Sequence, residues 1–289
     1  MTPPPGPPIR TLDANQYGLP GRGAAYLIGT GPVALVETGT PRAVPRLLDA
    51  LDGLDVAYVF VTHVHLDHAG GAGAIAARHP EATVVAHPRA IRHLADPRRL
   101  VAGVRDASPD LFPLYGEPTP IPEERLHPVG NGERFSLGGD AVIEAIHAPG
   151  HAPHHVCFFE RSSGILFTGD AAGNHGIPVD VPLTVPPRFD LDASIATLHR
   201  LRTLRPTSMA YTHFGCTDDD PDARLADYER ELVDWFARIE RLRRKRGPDE
   251  VARAILADPA YERLASSDRS SIEMCVRGAL LTLEADDVS

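Results

Sequence analysis

The most informative stretch of this chain is Thr62-His63-Val64-His65-Leu66-Asp67-His68-Ala69-Gly70-Gly71. It holds four side chains of metal-ligand type within six residues: His63, His65, Asp67 and His68. Imidazole and carboxylate groups suit zinc, iron or manganese. The apolar run 56–61 predicts a buried strand before the stretch, and the small residues at its end predict the start of a helix. The ligands are therefore expected on a loop at the carboxyl end of a strand, where sheets often place catalytic sites.

Three later segments carry further ligand types, each after a strand-like run: Pro149-Gly150-His151, Thr168-Gly169-Asp170 and Tyr211-Thr212-His213. Each segment alone is a weak signal. Their order and context, combined with the first stretch, resemble the metallo-β-lactamase superfamily over roughly residues 20–216. The resemblance implies an α/β fold of the αββα sandwich type, to which this chain's own sequence adds a helical insertion and a helical C-terminal extension.

The resemblance also implies a site with two metal ions. One ion would be held by three histidines, His63, His65 and His151. The second would be held by Asp67, His68 and His213. Asp170 would bridge the two, and Asp67 and Asp170 would be the catalytic carboxylates. The expected cofactors are two divalent metal ions, by preference zinc, with iron or manganese as alternatives. Two metals about 3.5–4 Å apart can share a hydroxide and lower the pKa of bound water toward about 7.

One position departs from the family pattern. The segment Leu35-Val36-Glu37-Thr38-Gly39 carries glutamate where members usually have an aspartate that steadies the metal loop. A glutamate carboxylate can also support the metal-binding loop, with a side chain that is one methylene longer. The substitution makes the geometry of this loop a question for the structure, because residues that support metal ligands set their orientation.

Other polar side chains near these motifs have two interpretations each. His155 either supports a ligand or is a solvated loop histidine, and His175 either lines the site or lies at the surface. Tyr211 either donates to a developing oxyanion or, as we favour, is a buried strand residue. His147 and His154 are expected to be structural or exposed. Five arginines of the insertion either bind an anionic substrate tail or form a solvated helix face: Arg89, Arg92, Arg98, Arg99 and Arg105.

The chain is expected to have three parts: an extended arm over residues 1–19, a domain over 20–216 with an insertion at about 89–124, and a helical extension over 217–289 packed on the core. A helix is predicted over 89–105 and a proline-rich loop over 106–124. Asp220-Pro221 predicts the start of a long helix that ends before Gly247. Ser270 and Glu273 predict a capping box at the start of a last helix.

Composition is that of a globular enzyme, with 289 residues, 43% hydrophobic and 24% charged residues. The net charge of −10 argues against a nucleic-acid partner. Three widely spaced cysteines predict no disulfide framework, the start of the chain has no apolar signal-peptide core, and no apolar run approaches about 18 residues. We therefore expect a cytoplasmic protein with a small-molecule substrate and no membrane partner; a homodimer stays open.

The favoured function is metal-dependent hydrolysis of a thioester, a lactone or a related carboxyl substrate. An alternative is a mononuclear iron dioxygenase resembling the persulfide-oxidising relatives, in which His63, His151 and Asp170 would hold iron. A third hypothesis is a metal-bound protein without catalysis. Metal analysis, oxygen uptake and a substrate panel separate the three.

Overall fold

The computed structural model describes residues 6–176, 181–187 and 189–286, and its twelve strands form two six-stranded sheets. The first sheet has its strands in chain order: β1 Ile9–Asp13, β2 Ala24–Ile28, β3 Val33–Val36, β4 Val56–Phe60, β5 Thr83–Ala86 and β6 Leu126–Pro128. Strands β1 to β3 pair antiparallel, and β3 to β6 pair parallel. The carboxyl end of β4 leads directly into the histidine-rich stretch.

In the second sheet, neighbouring strands are again consecutive along the chain: β7 Arg134–Ser136, β8 Val142–His147, β9 Val156–Glu160, β10 Ile165–Gly169, β11 Ser208–Tyr211 and β12 Gly215–Thr217. Its pairs are antiparallel except for β10 and β11. Consequently β8, β10 and β11 point the same way, and their carboxyl ends lie at one edge of the sheet.

The α-helices cover the outer faces of the sheets. They are α1 Val44–Leu51, α2 Leu66–Ala69, α3 Ala72–Arg78, α4 Ile91–Ala95, α5 Arg98–Ala107, α6 Phe112–Tyr115, α7 Leu191–Thr203, α8 Pro221–Arg246, α9 Val251–Leu256 and α10 Ser266–Asp286. Short 3-10 helices lie at Gln16–Gly18, Pro41–Ala43, Glu123–Arg125, Pro248–Glu250 and Pro259–Tyr261. None of the described helices combines the length and apolarity that crossing a bilayer requires.

Three apolar layers hold the sandwich together. The layer between the sheets contains Phe60, Phe135 and Phe158, with ring centroids 4.8 to 5.2 Å apart. The other two layers lie between each sheet and its helices. Each strand contributes side chains both to the layer between the sheets and to the layer under the helices, because successive strand residues face opposite ways. Leu166, for example, packs outward under the helices and its neighbour Phe167 packs inward. This arrangement is the predicted αββα sandwich with helices at its C-terminal end.

Part of the predicted extended arm over residues 1–19 belongs to the first sheet. Residues 9–13 form the edge strand β1, whose backbone pairs with β2 from Ile9 opposite Ile28 to Asp13 opposite Ala24. A 3-10 helix follows at Gln16–Gly18. The proline-rich start of the chain concealed this strand, since a five-residue edge strand depends on a partner that is distant in sequence. Residues 1–5 lie outside the described part.

The insertion and the last helix also differ from the predictions. The predicted helix over 89–105 is interrupted at Asp96, which is extended (φ −136°, ψ 94°) because the following Pro97 disfavours helical geometry there. The proline-rich loop contains the single turn α6. Helix α10 begins at Ser266, so the capping box expected at Ser270 does not start it.

Helix α8 follows its prediction closely. The Asp220 carboxylate caps it by accepting a hydrogen bond from the backbone N–H of Asp222 at 3.1 Å, and Gly247 ends it with φ 85°. Its apolar stripe, which includes Leu225, Leu232 and Trp235, packs into the layer outside the second sheet. The C-terminal helices are therefore part of the folded core rather than an appendage.

The first turn of α10 is fixed by a buried ion pair. Arg22 Nη2 lies 2.9 Å from Asp268 Oδ2, and the two side chains are only 16% and 5% exposed. Asp268→Ala would leave the guanidinium buried without its partner. We expect this change to lower the free energy of unfolding by about 3 kcal/mol in chemical denaturation.

Glu117→Ala is the matched control, because Glu117 pairs with Arg105 at the surface. Surface pairs contribute little, so no measurable change in unfolding is expected. An equal loss of stability in both variants would contradict the role given to the buried pair.

Candidate metal centre

The histidine-rich loop and the ends of three strands in the second sheet meet at one edge of the sandwich. Two backbone hydrogen bonds join the sheets there: Val156 N–H donates to Thr62 C=O at 2.8 Å, and Ala24 N–H donates to Thr212 C=O at 2.7 Å. All seven predicted ligands lie at this edge. They form two groups, and within each group the possible ligand atoms lie within 4.8 Å of one another. The first group contains His63, His65, His151 and Asp170, and the second contains Asp67, His68 and His213.

The first group is built around three imidazole nitrogens. His65 Nδ1 lies 2.8 Å from His63 Nε2 and 3.1 Å from His151 Nε2. The Asp170 Oδ2 oxygen lies 3.3 Å from His151 Nε2 and 3.8 Å from His63 Nε2. Four donors thus surround one point, the number that zinc prefers.

The second group uses the other oxygen of the same aspartate. Asp170 Oδ1 lies 3.3 Å from His68 Nε2 and 3.5 Å from His213 Nε2. Asp67 Oδ2 lies 3.9 and 3.6 Å from the same two nitrogens. Asp170 therefore presents one carboxylate oxygen to each group.

Three imidazole rings are oriented by the nitrogen that faces away from the centre. Nδ1 of His68 lies 3.0 Å from Glu37 Oε1, Nδ1 of His151 lies 2.8 Å from the Leu183 carbonyl, and Nδ1 of His213 lies 3.1 Å from the Arg22 carbonyl. Because an acceptor faces each Nδ1, the proton belongs on that nitrogen. The lone pair of Nε2 is then free to point inward, which is how proteins orient metal-binding histidines.

Orphaned polar atoms support a metal at this place. Among the described residues, His68 Nε2 and Asp170 Oδ1 are buried and have no hydrogen-bond partner. Leaving a buried polar group unpaired costs about 1–3 kcal/mol. A cation bound between these two atoms would satisfy both of them, so the residues present fit a divalent metal.

The electrostatics point the same way. Burial, reinforced by the neighbouring imidazoles, holds the pKa of His63 and His65 well below the usual 6.5, so both rings stay neutral. Burial alone would raise the pKa of Asp170, but nearby imidazoles, His68 first, outweigh it and hold that pKa well below its usual value. The neutral rings of His63 and His65 and the charged Asp170 carboxylate are therefore in the protonation states that metal binding requires. At His68, by contrast, burial is outweighed by the Asp170 and Glu37 carboxylates, which hold the pKa well above 6.5, so a metal bound there would displace a proton.

Glu37 occupies the supporting position that the sequence left open. Its Oε1 oxygen accepts hydrogen bonds from Thr62 Oγ1 at 2.5 Å, from His68 Nδ1 at 3.0 Å and from Thr212 Oγ1 at 3.1 Å. The residue has a left-handed backbone, with φ 67°. One carboxylate oxygen thus joins the histidine-rich loop to the end of β11.

His155 is the second supporting residue. It is buried, and its Nε2 accepts a hydrogen bond from the Asp170 backbone N–H at 3.1 Å. Gly169 makes room for it, because a Cβ on that residue would lie 2.6 Å from His155 Nε2. Of the two interpretations of His155, the structure favours support of a ligand over a solvated loop position.

The remaining histidines and Tyr211 lie outside the ligand groups. Tyr211 is a buried strand residue in the layer under the helices, as favoured, and His175 is half-buried and stacks on its ring at 5.3 Å. His147 is half-buried and packs against His87. His154 borders the cavity beside the site, and burial lowers its pKa to about 4.

A cavity of about 580 Å³ adjoins the ligand groups. Asp67, Asp170 and His213 border it on one side, and α5, α10 and residues 183–187 form much of its wall. Of the five arginines of the insertion, Arg92 and Arg99 border this cavity. Arg98 and Arg105 instead pair with Asp96 and Glu117, and Arg89 does not border the cavity.

Several residues of the site carry no sequence signal. Gln16 Nε2 donates to Asp67 Oδ2 at 2.9 Å, and the hydroxyls of Tyr17 and Tyr115 lie 3.0 Å apart at the cavity wall. These residues precede β2 or belong to the insertion, outside every motif. The carbonyls of Arg22 and Leu183 could not be identified either, since any residue supplies a carbonyl.

A sequence model described as the metallo-beta-lactamase superfamily matches residues 18–213. The chain belongs to the metallo-β-lactamase superfamily. The match covers all seven ligand positions of the site and leaves α8, α9 and α10 outside it. The family resemblance predicted from the order of the four motifs is therefore confirmed.

Several curated proteins from fungi are similar to this chain. The protein named "Lactamase-like protein adaB" from Aspergillus niger is 28% identical over 246 residues, covering 81% of this chain and 64% of that protein. The "Atrochrysone carboxyl ACP thioesterase" of Emericella nidulans is 29% identical over 181 residues, covering 58% of this chain and 45% of that protein. The chain thus spans about half to two-thirds of the length of these relatives.

Solved structures of the superfamily share the fold over nearly the whole chain. An archaeal metallo-β-lactamase superfamily protein from Sulfolobus tokodaii superposes with a TM-score of 0.73 at 22% identity, covering 96% of this chain and 99% of that one. A family protein from Thermus thermophilus gives 0.64 at 21% identity, covering 96% and 94%. Both superpositions extend beyond the residues matched by the sequence model.

Proposed function

We propose that this protein is a metal-dependent hydrolase that cleaves thioesters, and that two divalent metal ions, by preference zinc, occupy the two ligand groups. The observation that carries the proposal is Asp170, whose two carboxylate oxygens each face one group. The preference for thioesters over lactones is supported by relatives that are named thioesterases.

When bound, the metal pair supplies a Lewis acid for the substrate carbonyl and lowers the pKa of a water molecule toward about 7. The chain's own residues set the geometry. Glu37, His155 and the carbonyls behind the histidines hold the donors in place before substrate arrives, so little reorganisation accompanies the reaction.

Asp67 is placed to handle the proton. Asp67 and Asp170 both border the cavity, but the Asp67 side chain is 15% exposed and that of Asp170 only 5%. Water adds to the thioester carbonyl carbon, the C–S bond breaks, and the products are a carboxylic acid and a thiol. In this scheme the Asp67 carboxylate accepts the proton of the attacking water and delivers it to the departing sulfur. Gln16 fixes its orientation by donating to Oδ2.

A panel of thioesters, lactones and phosphodiesters, assayed with the metal-reconstituted protein, tests the proposal. Thioesters are expected to turn over with the highest kcat/KM. Turnover of phosphodiesters alone would contradict the substrate class. One iron per chain with oxygen uptake would instead support the dioxygenase alternative.

The support from Glu37 is tested by Glu37→Gln, which keeps the shape but replaces the carboxylate with an amide. We expect metal affinity to fall by about 10- to 100-fold, because the orientation of His68 is weakened. Competition with a chromophoric chelator measures the change. Glu81→Gln, at an exposed position, is the matched control. Unchanged affinity in the Glu37 variant would show that this carboxylate does not support the metal.

A further inference from the structure

The cavity beside the ligand groups is larger than a small acyl group requires. Its volume of about 580 Å³ lies within the range of sites that enclose drug-sized molecules, about 300–1,000 Å³. It reaches from Asp67 and Asp170 to the helices α5 and α10. A substrate whose carbonyl lies at the ligand groups therefore has room for a large substituent on one side.

The wall of the cavity away from the ligand groups is mainly apolar. Helix α5 contributes Leu100 and Val104, helix α10 contributes Met274 and Leu281, and Val185 adds to the same wall. Leu281 is 39% exposed, one of three large hydrophobic residues recorded as exposed among the described residues. Together with the other apolar residues of the wall, Leu281 forms a surface inside the cavity that an apolar group would cover.

Contacts between the two helices define this part of the cavity. The hydroxyl of Ser108, directly after α5, donates to Met274 Sδ at 3.2 Å. Arg277 Nη1 donates to the Ala107 carbonyl at 3.5 Å. The insertion and the C-terminal extension, which the resemblance to the superfamily did not describe, together build the wall.

Four charged side chains of α5 and α10 also border the cavity: Arg99, Asp106, Asp268 and Arg277. A thioester has two halves, and the apolar residues of this wall suit only the acyl half. A thiol carrier of the pantetheine type contains amides, and burying them against apolar side chains without hydrogen bonds is costly. An apolar acyl group gains free energy there as it leaves water. Resting on the proposed thioester hydrolysis, we propose that the acyl group fills the cavity between α5 and α10. The substrate class is then thioesters of large apolar acyl groups, with Val104 and Met274 as specificity-determining residues.

Acyl-coenzyme A thioesters of increasing acyl size test this directly, because the thiol half is constant. Each buried methylene is worth about fourfold in binding. We expect kcat/KM to rise by about 100-fold or more from acetyl- to octanoyl-coenzyme A. A flat or falling series with measurable thioester hydrolysis would overturn the inference and leave the proposed function standing.

Two variants that narrow the cavity, Val104→Trp and Met274→Trp, locate the effect. Each is expected to lower the octanoyl-to-acetyl ratio of kcat/KM by about tenfold or more. Ala102→Trp is the matched control, because Ala102 is exposed on α5 and does not border the cavity. The ratio in the control should stay at the wild-type value. Thermal unfolding identifies a variant that does not fold, and the other variant then decides.

Absence of any thioester hydrolysis would count against the proposed function and would not decide the acyl site. In that case the acyl site is tested by measuring how tightly the protein binds the inert thioethers S-ethyl- and S-octyl-coenzyme A, using calorimetry. Binding of the octyl compound tighter by about 100-fold would support the apolar acyl site. Equal affinities for the two thioethers would reject it.

Discussion

Asp170→Ala is expected to lower kcat for thioester hydrolysis by about a thousandfold or more. A metal contributes several kcal/mol to stabilising the transition state, and about 4 kcal/mol corresponds to this factor. The large effect follows from position, because one side chain faces both ligand groups through separate oxygens. Steady-state kinetics and metal content per chain, measured on the same preparation, check the prediction. The metal content is expected to fall together with the rate.

Asp218→Ala serves as the control, since this aspartate is exposed beyond β12 and contributes to neither ligand group. Its rate and metal content should match those of the unaltered protein. An Asp170 variant that keeps two metals per chain and a rate within tenfold of wild type would contradict the bridging role.

Removing the metals is the second change with a large expected effect. Dialysis against a chelator should reduce hydrolysis to background, and adding zinc back should restore it. The same step should lower stability, because a metal that binds the folded chain alone stabilises it by about 4 kcal/mol at a thousandfold excess over Kd. For a chain of this size we expect a fall in Tm of about 8 °C. Activity assays and thermal unfolding of the stripped and refilled protein measure the two effects.

Asp170→Ala is the control for the effect of added zinc on Tm. With the bridge between the groups removed, the same zinc concentration should raise Tm by less than in the unaltered chain. Full activity after complete removal of metal, verified by elemental analysis, would exclude the proposed chemistry.

Local chemistry in the sequence was enough to select the seven side chains that the fold brings together. Their residue types, the strand-like runs before them and their order along the chain are all readable without coordinates. The same holds for the long helix after Asp220, whose cap, apolar stripe and terminating glycine are local features. Local signals failed at β1 and at the start of α10. Strand β1 depends on its pairing with β2, and the start of α10 coincides with the contact of Asp268 with Arg22.

The support around the ligands belongs to the tertiary structure. Glu37 was recognisable as a departure from the family pattern, but its three hydrogen bonds come from positions 25 to 175 residues away. Gln16 and the carbonyls of Arg22 and Leu183 had no signal, since a hydrogen-bond partner distant in sequence leaves no local pattern.

The sequence by itself determined which side chains can bind metal and on which strand ends they lie, because strand alternation and ligand chemistry act over a few residues. The closing of the two sheets decided that Asp170 faces both groups. The packing of α5 against α10 decided that an apolar cavity lies beside them. Both features depend on contacts between segments that are far apart along the chain, and only the folded chain brings such segments together.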